Sequence, residues 1–415
     1  MSLFRRARAA RPAPPPLGRD FTRLWCASAL TNLGDGAVLA AGPLLVASLT
    51  SSPAAIAAAA AAQLLPHLLF SLVSGALVDR LPRRSVLLAA NTARGAALAL
   101  LTTAVATGDV RLWMVYSAVF ALGAGETLAD SAYGAIVASV VPRESLGRAN
   151  ARLALTFSLN NQLAGPPLGA LMFAAAWALP FGFDALAYLL SAAVIARMAP
   201  LGAPGPAHGG RERLRTEIAR GLAFVWGTPP LRTLCGCILV MNLTGVGAFS
   251  IWVVYAQRHL GLSDLGFGLF VAAGAVGGVV GSRAYEWLEP RTGRVPLLRW
   301  GLAVEALTYA ALALTSDGLV ACAVMAAFGV HAVVWGTAAT TARQRVTPDH
   351  LLGRVGSVYR LADLGSAALG AVLGGLAAEH AGLLVPFCVA AVAVGLLVPI
   401  AWRSIGFVEN AEFLL

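Results

Sequence analysis

Lysine is absent from the chain, and charge of either sign is scarce. Only 12% of the 415 residues are charged, against about 25% in an ordinary soluble domain, which excludes a soluble globular protein. Without lysine there is no G-x-x-x-x-G-K-[ST] phosphate loop, so ATP-driven transport through such a loop is excluded. No H-E-x-x-H string and no clustered nucleophile and base occur, which argues against an intramembrane enzyme. The cysteines Cys26, Cys235, Cys237, Cys322 and Cys388 are odd in number, lie in apolar runs and show no metal-ligand spacing with histidine. They read as small core hydrophobes, and neither a metal nor a cofactor is implied. The N-terminal stretch has arginines and the run Pro12–Pro16 but no short apolar core followed by a small-residue cleavage site. It reads as a cytoplasmic tail before an uncleaved first helix.

What is present is apolar sequence, 58% of the chain. A bilayer-crossing helix needs roughly 20 apolar residues, and twelve such spans can be drawn. They run over 24–47, 53–78, 85–107, 112–140, 149–173 and 179–198, then 231–256, 265–287, 296–314, 319–342, 355–378 and 383–402. The pattern predicts an all-α membrane protein of two six-helix bundles, 24–198 and 231–402. Cytoplasmic tails are expected at 1–23 and 403–415, and a cytoplasmic linker at 199–230. In that linker Leu214, Ile218, Leu222 and Val225 recur at helical spacing opposite Arg213, Glu217 and Arg220, which predicts an amphipathic helix on the membrane surface.

All 30 basic residues are arginine and the net charge is +10. They sit in short connections rather than on one soluble face, which argues for membrane topology and against a nucleic-acid partner. Arginines occupy the N-terminal tail, the 2–3, 4–5, 6–7, 8–9 and 10–11 connections and Arg403, whereas the other connections carry only Arg111 and Arg258. Both termini are therefore expected in the cytoplasm of a cell or inner membrane.

The chain also repeats itself. Val140–Asn150, V-V-P-R-E-S-L-G-R-A-N, recurs as R-V-T-P-D-H-L-L-G-R-V at Arg345–Val355, with Pro142, Leu146, Gly147 and Arg148 meeting Pro348, Leu352, Gly353 and Arg354 at an offset of 206. Gly75, Gly123 and Gly169 meet Gly281, Gly329 and Gly375 at that offset, and Asn32-Leu33 meets Asn242-Leu243 at a slightly larger one. A duplicated six-helix unit is the reading.

Between the second and third spans stands G-A-L-V-D-R-L-P-R-R, Gly75–Arg84. It resembles the G-x-x-x-D-R-x-G-R-R loop of the major facilitator superfamily, with Gly75, Asp79, Arg80, Arg83 and Arg84 matching and Pro82 in place of a glycine. Within that superfamily the chain is most similar to the macrolide-efflux and enterobactin-exporter group, through Asn32-Leu33-Gly34-Asp35, the loop, Pro142–Asn150 and the segment from Arg211 to Arg232. The resemblance implies a substrate site between the halves near the midplane and alternating access by rocking. It also implies a latch in which Asp79 docks at the start of the eleventh helix near Val355, steadied by arginines such as Arg148. The string N-Q-L-A-G-P-P-L-G-A, Asn161–Ala170, is similar to the G-P-x-x-G-G signature of antiporters at Gly165, Pro166 and Gly169, with Ala170 replacing the last glycine. Small residues there would let the fifth helix approach the other half; a kinked packing helix is the alternative. The arginine of the fourth-helix exporter signature is missing, with Val119 and Ala121 where it would fall.

Ionisable groups inside spans are costly and are functional candidates. Asp35, about 11 residues into the first helix and so roughly 17 Å from its edge, and Glu126 are candidate proton sites. Arg94 and Asp130 are read as a structural ion pair, the alternative being one static network of all four. Asn32, Asn242, Trp252, Tyr255, His331 and Trp335 are cavity candidates. Glu305 and Asp363 are expected to pair with nearby arginines, and Asp184 to act as a helix cap. The expectation is a monomeric secondary transporter exporting a hydrophobic or amphipathic small molecule against protons, with an importer or lipid transporter of the same fold as the alternative.

Overall fold

In the computed structural model, which describes residues 17–78, 81–199, 214–348 and 351–412, all regular structure is helical. The first half holds α1 (Arg19–Leu49), α2 (Pro53–Val78), α3 (Arg83–Thr107) and α4 (Leu112–Val140), then α5 (Leu146–Thr156), α6 (Gly165–Ala175) and α7 (Leu179–Ile195). After α8 (Leu214–Gly227) the second half holds α9 (Pro229–Phe249), a short α10 (Trp252–Val254), α11 (Asp264–Thr292), α12 (Arg294–Leu314), α13 (Gly318–Val346), α14 (Leu352–Ala381) and α15 (Val385–Glu412). In hydrocarbon a helix satisfies its own backbone, which is why apolar runs of this length take this form.

Ten of the described helices are long and apolar enough to span a membrane. The remaining two spans account for the difference from twelve. The sixth, α7, has 17 residues. The fifth, drawn from the sequence as continuous, is interrupted at Phe157–Ala164 by a π-helical segment between α5 and α6. Pro166 and Pro167 follow at the start of α6, where a missing N–H costs least. At the other end of the chain, α15 runs on to Glu412, beyond the span ending at 402.

The duplication is visible in the packing. In the first half α1 packs on α6 and α7, α2 on α4, and α3 on α4 and α7. In the second, α9 packs on α14 and α15, α11 on α13, and α12 on α13 and α15. Counted as spans these are the same five pairings. Glycines make the close ones: a Cβ on Gly123 would overlap Gln63 O of α2, and one on Gly329 would overlap Gly274 O of α11. The offset of 206 slips by one in the eleventh span. Gly374 meets Gly247 of α9 as Gly169 meets Ala37 of α1, while Gly375 turns to the other half.

The two most extensive contacts between the halves are α2 with α14 and α6 with α11, and the same two-fold exchanges them. Both are tight at the arginine-poor end. A Cβ on Gly375 would lie 2.5 Å from Ala57 Cβ, and Glu379 accepts hydrogen bonds from the Ala54 N–H (3.0 Å) and the Ser52 hydroxyl. At the other contact, a Cβ on Gly268 would lie 2.8 Å from both Pro166 O and Ala170 Cβ. The linker helix α8 lies against α14 and α9, with Gly221 over Arg354 and Val225 buried. Leu222, placed by the sequence on the same stripe as Val225, is instead 48% exposed, and Trp226 is 65% exposed.

Candidate functional site

The first candidate cluster is built around Asn32-Leu33-Gly34-Asp35-Gly36 in α1. The two glycines flanking Asp35 each admit a neighbour. A Cβ on Gly34 would overlap the Asp184 carboxylate of α7, and one on Gly36 would lie 2.5 Å from Asn161 O of the π segment. Asp35 faces a different pair. Arg94 Nη2 of α3 lies 3.4 Å from its Oδ1, and the Tyr188 hydroxyl of α7 donates to the same oxygen. The Arg94 guanidinium also stands 4.2 Å from the Tyr188 ring centroid, a cation–π contact. Its stem crosses Gly125 of α4, where a Cβ would lie 2.5 Å from Arg94 Cγ.

The expected Arg94–Asp130 ion pair is thus corrected: Arg94 pairs with Asp35, and Asp130 is exposed with Arg94 and His67 only in electrostatic reach. Glu126, whose side chain is 40% exposed, stands 3.8 Å from His67 Nε2. Asp184 is also corrected. It lies in the second turn of α7, fully buried, with Ala178 as the N-cap residue, and neither carboxylate oxygen has a hydrogen-bond partner among the described residues.

The second cluster lies in the other half. Glu305 of α12 takes His331 Nε2 of α13 at 3.0 Å and the Tyr309 hydroxyl at 3.3 Å. This corrects the expected arginine partner for Glu305. Asn242 Nδ2 donates to Asp363 at 2.6 Å, with Arg343 and Arg360 in electrostatic reach of that carboxylate. These groups line a cavity of about 910 Å³ together with Met241, Phe249, Phe328 and Trp335, with Leu68 of α2 contributed by the first half. Its walls run from Phe249 at the end of α9 and Glu305 in the middle of α12 to Gly353 and Arg360 at the arginine-rich end of α14. Of the cavity candidates, Asn242, His331 and Trp335 line it. Trp252 and Tyr255 do not. Tyr255 is fully buried, its hydroxyl bonded to Leu312 O, and Trp252 packs on Phe249 and Phe270. Asn32 bonds within its own helix to Ser28.

The helix-five glycines are brought together with a different partner than expected. Gly165 and Gly169 pack on Gly36 and Ala37 of α1 in their own half; the approach to the other half is made by Gly268 against Pro166 and Ala170. In the arginine loop, Arg84 donates to Ile195 O (3.2 Å) and Ala196 O at the end of α7, and Arg83 to Ala135 O of α4 (3.4 Å). Gly75 lies in α2, Arg148 in α5, and Asp79 and Arg80 fall outside the described residues. Sequence reasoning missed His67, Tyr188, Tyr309, Phe249 and Phe328. A signal existed for the tyrosines: Asp184-x-x-x-Tyr188 and Glu305-x-x-x-Tyr309 each put acid and phenol on one helix face.

Two pseudo-symmetric helical bundles, with a cavity lined mainly by the second, define a membrane transporter of the major facilitator fold, not an enzyme. The sequence matches the model of the transmembrane secretion effector family over residues 13–408, and the chain belongs to that family. It is 30% identical over 377 residues to the multidrug efflux pump Tap of Mycobacterium tuberculosis (strain ATCC 25618 / H37Rv), covering 87% of each chain. Among solved structures it resembles a bacterial homologue of the iron transporter ferroportin in its inward-facing state (TM-score 0.76, 18% identity, 94% of this chain and 100% of that one). It also resembles the nucleoside transporter NupG (TM-score 0.74, 10% identity, 94% and 99%).

Proposed function

We propose that this chain is a proton-driven exporter of amphipathic, drug-like small molecules in the cell membrane, working by alternating access. The observation that carries the reading is the cavity of about 910 Å³, lined by the aromatic Phe249, Tyr309, Phe328 and Trp335 and by the polar and charged Asn242, Glu305, His331, Arg343, Arg360 and Asp363. An aromatic wall beside a set of polar and charged groups suits amphipathic cargo. The arginine excess at the Gly353 and Arg360 end of the cavity supports a cytoplasmic position for it. The form described here is then the inward-open one, ready to load from the cell interior. The relationship to Tap, which is named a multidrug efflux pump, supports export over import. Asp35, Glu126, Asp130 and Arg94 are the proposed proton-handling groups, and Asp79 with Arg148 the proposed latch.

Expression in an efflux-deficient host, with a compound panel and an uncoupler, tests this. Resistance to amphipathic compounds should rise and cellular accumulation fall, and the uncoupler should abolish both. Raised accumulation would favour an importer instead, and resistance insensitive to the uncoupler would remove the proton coupling.

A further inference from the structure

Asp184 and Arg94 present a complementary mismatch. Asp184 is fully buried and, among the described residues, neither of its oxygens accepts a hydrogen bond. Arg94 is buried too, and its Nε–H has no acceptor. The two groups belong to one cluster. Asp184 backs onto Gly34, the neighbour of Asp35, and both Asp35 and Arg94 are within its electrostatic reach. Buried polar groups normally find partners, and an unpaired aspartate inside a span is costly. A donor and an acceptor, both unused and in one cluster, are the two ends of an interaction that this conformation does not make.

The charge balance points the same way. The groups facing Asp184 are Asp35 on α1, Arg94 on α3 and Tyr188 on its own helix; α6, which also packs on α7, contributes no titratable residue. One arginine stands against two aspartates, and Arg94 Nη2 and the Tyr188 hydroxyl are both spent on Asp35. Neutrality then needs one proton, and Asp184 is the carboxyl left without a donor. Glu126 of α4 is also within electrostatic reach of Arg94 and has His67 beside it at 3.8 Å.

We propose that Asp184 takes up and releases the coupled proton, and that Arg94 turns from Asp35 toward Asp184 when that proton leaves. With the proton on Asp184 the cluster is neutral as Arg94⁺–Asp35⁻. On release to solvent on the cytoplasmic side, Arg94 is shared by two carboxylates, and α1, α3 and α7 are pulled into a different arrangement. This rests on the proton-driven reading above and names a carboxyl that the candidate proton sites did not include.

The test is a pH titration of the distance between nitroxide labels at the arginine-rich ends of α4 and α13, using the full chain in nanodiscs. Gradient-driven export of ethidium is measured alongside in proteoliposomes. The unmodified protein should shift its distance distribution with pH. Asp184→Asn should hold the acid-side distribution at every pH and lose at least tenfold in ethidium export. Asp184→Glu should keep the pH response with a moved midpoint. A pH response in Asp184→Asn with the midpoint of the unmodified protein overturns the proposal. If Asp184→Asn does not fold, Asp184→Glu decides, and an unmoved midpoint overturns it. No pH response in the unmodified protein, with export insensitive to an uncoupler, removes the proton-driven reading itself and this proposal with it.

Discussion

Gly268 of α11 lies so close to Pro166 of α6 that a Cβ would stand 2.8 Å from the Pro166 carbonyl oxygen, and as far from Ala170 Cβ. Backbone cannot yield as a flexible side chain can, so any larger residue must hold the halves apart at the arginine-poor end. Gly268→Val is expected to cut transport at least tenfold while folded protein persists, and to lower cysteine labelling at the arginine-rich mouth. Unchanged labelling would mean that this contact does not govern the closure.

Glu305 gives a stability prediction. Glu305→Ala leaves the Tyr309 hydroxyl and a His331 ring nitrogen buried without their partner, and such a loss costs about 1–3 kcal/mol. Glu305→Gln keeps an acceptor for the phenol and should cost less. Thermal unfolding of the two variants orders them, and equal losses would remove the hydrogen-bond account.

Arg84 caps the end of α7 through the carbonyls of Ile195 and Ala196. A cation at a helix C-terminus contributes about 0.3–1 kcal/mol, and lysine lacks the fork needed to serve two acceptors at once. Arg84→Ala and Arg84→Lys are both expected to lower the unfolding temperature, alanine more. A lysine variant as stable as the unmodified protein would reduce the role of Arg84 to charge alone.

The latch prediction concerns Asp79, just beyond the end of α2 at Val78, and the start of α14 at Leu352. Asp79→Asn is expected to favour the form open at the arginine-rich end and to slow turnover with little change in substrate affinity. Cysteine accessibility at that mouth, compared between the two proteins, checks it; unchanged labelling and turnover would leave Asp79 only tempering a positive loop.

Span positions were legible because hydrocarbon length sets them, and the repeat was legible because Pro142 and Pro348 sit at matching helix ends. Asp35, Glu126 and Arg94 stood out as charges in apolar runs. Their partners did not, because pairing across helices depends on rotation about each axis. Arg94 had two aspartates at comparable depth, and the choice of Asp35 rests on Tyr188 and on the gap over Gly125. Trp252 and Tyr255 were misread because aromatic composition does not tell a cavity wall from a packed core. The Glu305–His331 pair joins residues 26 apart on neighbouring helices, a relation no short motif carries.

Unlike the π segment Tyr255–His259, which closes the seventh span, the π segment at 157–164 interrupts the fifth span in its middle. Its backbone bonds reach five residues back, as from the Gly165 N–H to Asn160 O, so it holds one residue more than an α-helix of the same length needs. Giving up that residue would turn α6 by about 100° against α5, the angle of one helical step. Such a turn carries Gly165 and Gly169 off α1 and re-aims Pro166 relative to Gly268, without bending a rod or moving a loop. Removing one residue from 157–164 would fix that rotation permanently, making the segment a screw thread whose pitch is written into the chain.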